Sequence, residues 1–297
     1  MNINWALLVS YAIAIIIEVG LPLAAGIWLM RKYKSSWVLI LTGLVTYALA
    51  ELIHIPALNG IKTLFSNGTL ASPASRWIPL VNGLIVGALA GIIENCVRWI
   101  GFKVNGKRSD PFRSAVSLGI GHGGLELILV GVLLAINLGS VLFYNAGAQI
   151  AKGVSTTSVQ SVLAQITSFW AAPWYYAPLG LFEHLVTFAA QLALSVMVWR
   201  AVAKSQPLWL LLAVLYQTVV EGITTFLSGM NWGLWQIEGV LALFLLLSVL
   251  MMYLFWGEEG GLGEDEDDED EESEDDEEED SPEEISETAV DESSETK

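Results

Sequence analysis

The sequence is almost without cysteine. Cys96 is the only one in 297 residues, which excludes a disulfide framework. Histidine is nearly as scarce, with three, and only 15% of the chain is charged. The few basic residues form no patch beyond short loops, so no nucleic-acid partner is expected. A Gly-rich phosphate loop, a dinucleotide fingerprint, a nucleophilic-serine motif and a His-Glu-x-x-His run are all missing. No internal repeat is detectable either.

What is present is apolar. Hydrophobic residues make up 54% of the chain and mean hydropathy is +0.54. The formal charge of −18 misleads, because it is concentrated at one end. Residues 258–297 hold 24 of the 32 acids and one of the 14 bases, which leaves residues 1–257 with eight acids and thirteen bases. A slightly basic, strongly apolar body excludes a soluble globular enzyme. The chain divides into a transmembrane helical domain, 1–257, and an acidic, Ser-rich tail, 258–297. The tail is expected to be disordered, because it cannot bury enough apolar area to offset its ordering entropy.

A helix needs about 20 mostly apolar residues to cross the hydrocarbon core. Seven stretches qualify, at roughly 5–30, 37–58, 78–102, 115–138, 174–199, 207–228 and 232–256. The first lacks a basic leader and exceeds a signal-peptide core in length, so it reads as a retained span. The expected fold class is therefore all-α, a polytopic bundle of about seven transmembrane helices in a lipid bilayer. Residues 139–173 read as an external loop whose Val159–Trp170 stretch suits a short surface-lying helix. Tryptophans such as Trp5, Trp37, Trp99, Trp199 and Trp256 fall near span ends, where indole favours the headgroup region. One set of loops carries Arg31, Lys32, Lys34, Lys103, Lys107, Arg108, Arg113, Arg200 and Lys204; the other carries Lys62, Arg76 and Lys152. That bias places the first set in the cytoplasm, the N-terminus outside and the acidic tail inside. The expected location is the cell membrane.

The ionisable residues of the body fall where they are costly. Of its eight acids only Asp110 lies in a loop. Glu18, Glu51, Glu94, Glu126, Glu183, Glu221 and Glu238 lie inside expected spans, with His54, His122, His184 and Arg98. A charge at the bilayer centre costs about 2.5–3.5 kcal/mol on insertion scales, so these groups must face the bundle interior or a wet cavity. Glu18, Glu51, Glu221, Glu238 and His54 are expected to do no more than hydrogen-bond a neighbouring helix. Three helices are denser. On the third, Gly83, Gly87 and Gly91 form a smooth stripe for close helix contact, while Glu94 and Arg98 share a face at i, i+4. Cys96 points elsewhere and reads as a small packing residue. On the fourth, His122 and Glu126 share a face, amid Gly119, Gly121, Gly123 and Gly124. Glycine in a helix costs about 1 kcal/mol each relative to alanine, which calls for close backbone approach or a bound group beside His122. On the fifth, His184, Thr187 and Gln191 lie on one stripe, and Glu183 points about 100° away.

Carboxylate and imidazole together suit the activation of water: a glutamate as general base, a histidine holding the water or stabilising an oxyanion. No cofactor is then required. Alternatively, His122, His184 and Glu94 would bind Zn2+ as a two-His, one-carboxylate site. A proton-coupled transporter and a non-catalytic membrane scaffold are the other readings of the same groups.

The pattern resembles the intramembrane proteases of the CAAX-processing/bacteriocin-processing and PrsW superfamily, and is most similar to the YhfC family of membrane peptidases. Glu94-Asn95-x-x-Arg98 resembles that superfamily's Glu-Glu-x-x-Lys/Arg motif, with Asn95 at the second glutamate. Leu118-x-x-x-His122 resembles its Phe-x-x-x-His motif. His184 resembles its third motif, with Phe188 where an amide or acid usually stands. The resemblance covers the membrane body and implies hydrolysis of peptide bonds in a membrane protein or peptide substrate. Under it Glu94 is the base, Arg98 orients Glu94, His122 helps hold the attacking water and His184 stabilises the oxyanion. Glu126, Glu183 and Asn95 are secondary candidates. Residue counts from the cytoplasmic ends put Glu94 and His122 about 10–12 Å deep and His184 roughly 20 Å deep; if that gap holds, Glu126 and Glu183 fit better beside His184.

Overall fold

The computed structural model describes residues 3–105, 111–145 and 156–258. The acidic tail beyond 258 lies outside the described residues. The elements are α1 (Trp5–Tyr33), α2 (Trp37–Ser66), a 3-10 turn (Ser75–Trp77), α3 (Ile78–Asn105), α4 (Pro111–Asn145), α5 (Thr156–Ala171), α6 (Tyr176–Ala203), α7 (Pro207–Gly229) and α8 (Leu234–Glu258). No strand occurs among the described residues. Seven of these helices are long and apolar enough to cross a membrane, and each overlaps one of the seven expected spans, with α6 and α8 starting two residues later than expected.

The exception is α5. It has 16 residues, and two of them, Ile166 and Trp170, pack with Leu7 of α1 and Val141 of α4. Asn4 caps α1 by accepting from the Leu7 N–H and also donates to the Trp170 carbonyl. The short helix expected at Val159–Trp170 is thus present and anchored on the ends of two spans. The fourth span runs to Asn145, seven residues beyond its expected end.

Helix α6 is the axis of the bundle. Its most apolar window is 78% buried, against 17–39% for the other six spans. It touches α1, α3, α4, α7 and α8, so a polar side chain on almost any of its faces meets protein. The outer helices turn large apolar residues such as Ile16, Leu52, Leu133 and Leu243 outward, where lipid would cover them. Cys96 is also on an exposed face, and so does not pack between helices.

Close approaches set the positions of the polar groups. The α3 glycine stripe packs on α7: a Cβ at Gly83 would lie 2.6 Å from the Gly222 carbonyl oxygen, and one at Gly91 would lie 2.6 Å from that of Val214. Around His122 the α4 glycines contact three different helices. A Cβ at Gly124 would lie 2.9 Å from Pro22 of α1, and one at Gly123 would lie 2.7 Å from the Cβ of Gln191 on α6. Gly121 meets the Ile40 carbonyl of α2, where Gly43 answers with equal closeness. Backbone approach therefore compensates for the glycines of α4, and it draws α1, α2 and α6 in around His122.

Candidate active site

Glu94 of α3 is buried at the centre of a polar cluster formed by α2, α3, α4, α6 and α7. Its Oε2 lies 3.2 Å from Nε2 of His122 and accepts from Nε2 of Gln191 at 3.0 Å. The same Gln191 nitrogen donates to Oε2 of Glu126 at 3.0 Å, so one amide joins two carboxylates. Arg98, fully buried, is 3.9 Å from Glu94. Its direct hydrogen bonds go to Oδ1 of Asn95, at 2.7 Å, and to Oε1 of Gln191. Asn95 in turn donates to Gln217 of α7 at 2.7 Å. Arg98 thus acts on Glu94 chiefly through Gln191.

His122 is held at both ring nitrogens. The Thr46 hydroxyl lies 3.0 Å from Nδ1 and donates its own hydrogen to the Gly43 carbonyl at 2.8 Å. With that hydrogen committed, Nδ1 must donate to Thr46. The Nε2 facing Glu94 then carries either a second proton or a lone pair aimed, with the carboxylate, at a shared cation. Tyr47 stands edge-on to the imidazole, with ring centroids 5.4 Å apart.

His184 does not join this cluster. Its Nδ1 pairs with Oε1 of Glu18 on α1 at 2.7 Å. The reason is axial: His184 and Gln191 share a stripe of α6 but stand seven residues apart, roughly 10 Å along the helix. Gln191, two turns on, occupies the α6 position beside Glu94. His184 and Glu126 do border one cavity of about 20 Å³, with Thr187, Gly123 and Phe188. That is the volume of about one water, but the atoms lining it are apolar. Glu183 turns the other way, within charge interaction of Glu221 and Glu238.

The expected zinc set of His122, His184 and Glu94 is therefore not assembled. Another set is. Among the described residues, Glu51, His54 and Glu94 form the one group of three whose ligand atoms all lie within 4.8 Å of one another. His54 Nδ1 is 3.5 Å from Oε1 of Glu51, and its Nε2 is buried without a hydrogen-bond partner. The sequence held a signal for this pair. Glu51-x-x-His54 is the i, i+3 spacing that places a carboxylate and an imidazole on one helix face as joint metal ligands in bundle proteins. Gln191 was legible on the stripe of His184, but nothing in the sequence set it beside Glu94 or marked Gln217 and Thr46 as its neighbours, because uncharged polar residues in spans carry little insertion cost.

Residues 13–241 match a family model described as YhfC intramembrane metalloprotease. The chain belongs to the YhfC family. It is 30% identical over 211 residues to a Bacillus subtilis (strain 168) protein described as uncharacterized membrane protein YhfC, covering 70% of this chain and 79% of that one. No solved structure matches. The YhfC match begins within α1 and ends within α8, so it spans every residue of the cluster. Membership implies a metal, and the residues present fit one: a buried Glu/His/Glu group, an unsatisfied imidazole nitrogen, and His122 beside it.

Proposed function

We propose that this YhfC protein is an intramembrane metalloprotease whose divalent cation is held by Glu51, His54 and Glu94, with His122 alongside. The observation that carries the reading is the convergence of Glu94, from α3, on two separate groups: the Glu51–His54 pair of α2 and the His122–Gln191–Arg98 network of α4, α6 and α3. When bound, a divalent cation supplies Lewis-acid polarisation of a peptide carbonyl and lowers the pKa of bound water.

The chain's own residues divide the remaining work. Gln191 and His122 fix the Glu94 carboxylate. Glu126 shares the Gln191 amide with Glu94 and stands outside the Glu51, His54 and Glu94 group, so it is the carboxylate left to take a proton from attacking water. Water oxygen adds to the peptide carbonyl carbon as its proton passes to Glu126; collapse of the adduct then breaks the C–N bond, and the leaving nitrogen takes that proton back. The resemblance assigns the base to Glu94; the geometry supports Glu94 as ligand and Glu126 as base.

Access for a membrane peptide is supported by a groove of about 370 Å³ between α2 and α3, lined by Trp37, Leu41, Val45, Thr46, Ile100 and Val104. Thr46 lines this groove and its hydroxyl contacts His122, so a single residue separates the groove from the cluster.

The test is metal content and cleavage measured together on protein purified into nanodiscs. The wild type is expected to hold one divalent cation and to cleave a reconstituted transmembrane peptide, and Glu51→Gln and His54→Ala are expected to lose both. Cleavage that persists in metal-free protein, or full metal content in both variants, overturns the reading.

A further inference from the structure

Glu18 is the most deeply buried carboxylate that the proposed reaction does not use. It is wholly inaccessible, on α1, one turn before Pro22. Its Oε1 pairs with Nδ1 of His184 at 2.7 Å, while its Oε2 is buried with no hydrogen-bond partner among the described residues. Room for it is made by α4: a Cβ at Gly131 would lie 3.0 Å from the Cβ of Glu18 and 3.4 Å from its Oε2. A carboxylate desolvated with one oxygen unsatisfied is expensive. An apolar residue would fill the same space at lower cost, so packing does not account for it.

We propose that Glu18 is a positioning residue for His184: as an acceptor it commits the ring hydrogen to Nδ1 and leaves Nε2 as the lone-pair nitrogen. This inference rests on the protease reading for its consequence, not for its geometry. An ionised carboxylate only accepts, so its partner nitrogen must donate. Orienting carboxylates of this kind fix both tautomer and ring direction of the histidines they hold. A histidine so held accepts at Nε2, whereas an oxyanion stabiliser must donate, so Glu18 separates this chain from the role that resemblance implies for His184.

Three histidines make the test direct. Nitrogen NMR of histidine-labelled protein in nanodiscs, with His184→Gln to assign the third imidazole, reads the tautomer itself. The wild type is expected to show Nδ1 protonated and Nε2 bare. Glu18→Gln, which offers both an acceptor and a donor, is expected to introduce the Nε2–H form and to lower kcat about 10- to 100-fold with KM within about twofold. Gly131→Ala, which crowds Glu18 without removing it, is expected to move the same resonance part of the way. A wild-type His184 protonated at Nε2 alone, or a His184 signal unchanged in Glu18→Gln, overturns the proposal. If the tautomer changes but no variant or wild type cleaves any peptide, the protease reading fails and the positioning role stands. If wild type cleaves and Glu18→Gln cleaves equally, the positioning role fails and the protease reading stands.

Discussion

Arg98 decides which way round the Gln191 amide stands. Because Arg98 donates to Oε1 of Gln191, the Gln191 nitrogen must face Glu94 and Glu126, and it donates to both. A flipped amide would set its nitrogen against a guanidinium and its oxygen against two carboxylates. One cation thereby fixes a neutral linker, and the linker fixes the spacing of two acids.

Removing that cation is expected to be severe. Arg98→Met keeps volume but leaves the carboxylates without their buried counter-charge, and breaking a buried pair costs about 3–5 kcal/mol. Denaturant unfolding of the reconstituted protein should show a loss of this size. Gln191→Leu, which leaves Arg98 in place, should retain most of the stability and lose cleavage; wild-type rates in Gln191→Leu would remove the linker from the mechanism.

The glycine contacts make a sharper packing prediction. Gly87→Ala drives a methyl into the Thr218 carbonyl on α7, whereas Gly20→Ala and Gly139→Ala point into open space. Overpacking typically costs about 1–3 kcal/mol. The temperature of thermal inactivation should fall markedly for Gly87→Ala and stay within error for the other two. Equal melting for all three would mean that α3 and α7 are not packed as described.

Gly123→Ala tests the site through its neighbour. The added methyl would lie 2.7 Å from the Cβ of Gln191, so the linker must shift off the two carboxylates. Cleavage is expected to fall about 10-fold or more while helical content by circular dichroism is unchanged, since misplacement by about 1 Å has effects of that order or larger. Undiminished cleavage would show that Gln191 spacing is not critical.

Orientation is testable on single cysteines in a Cys96→Ser background. Asn67, after α2, and Ser205, after α6, are both exposed. With basic loops inside, a membrane-impermeant thiol reagent should label Asn67→Cys in intact cells and Ser205→Cys only after permeabilisation. The reverse pattern would invert the topology.

Apolar run length by itself determined the seven spans and the all-helical class, because a chain in hydrocarbon has few other ways to satisfy its backbone. Charge scarcity did the same for the site residues: each buried acid and imidazole of the cluster stood out as an ionisable group inside a span. Glu94 with Arg98, and His122 with Glu126, were legible as pairs because four residues make about one helical turn. What only the tertiary structure decided was which helices share a depth. A sequence gives the rotation of a side chain about its own axis, but the sliding of one helix against another is set by interhelical contacts such as Gly43 on Gly121 and Gly123 on Gln191. That sliding sent His184 to Glu18, brought Gln191 to Glu94, and joined Glu51 and His54 to the same carboxylate.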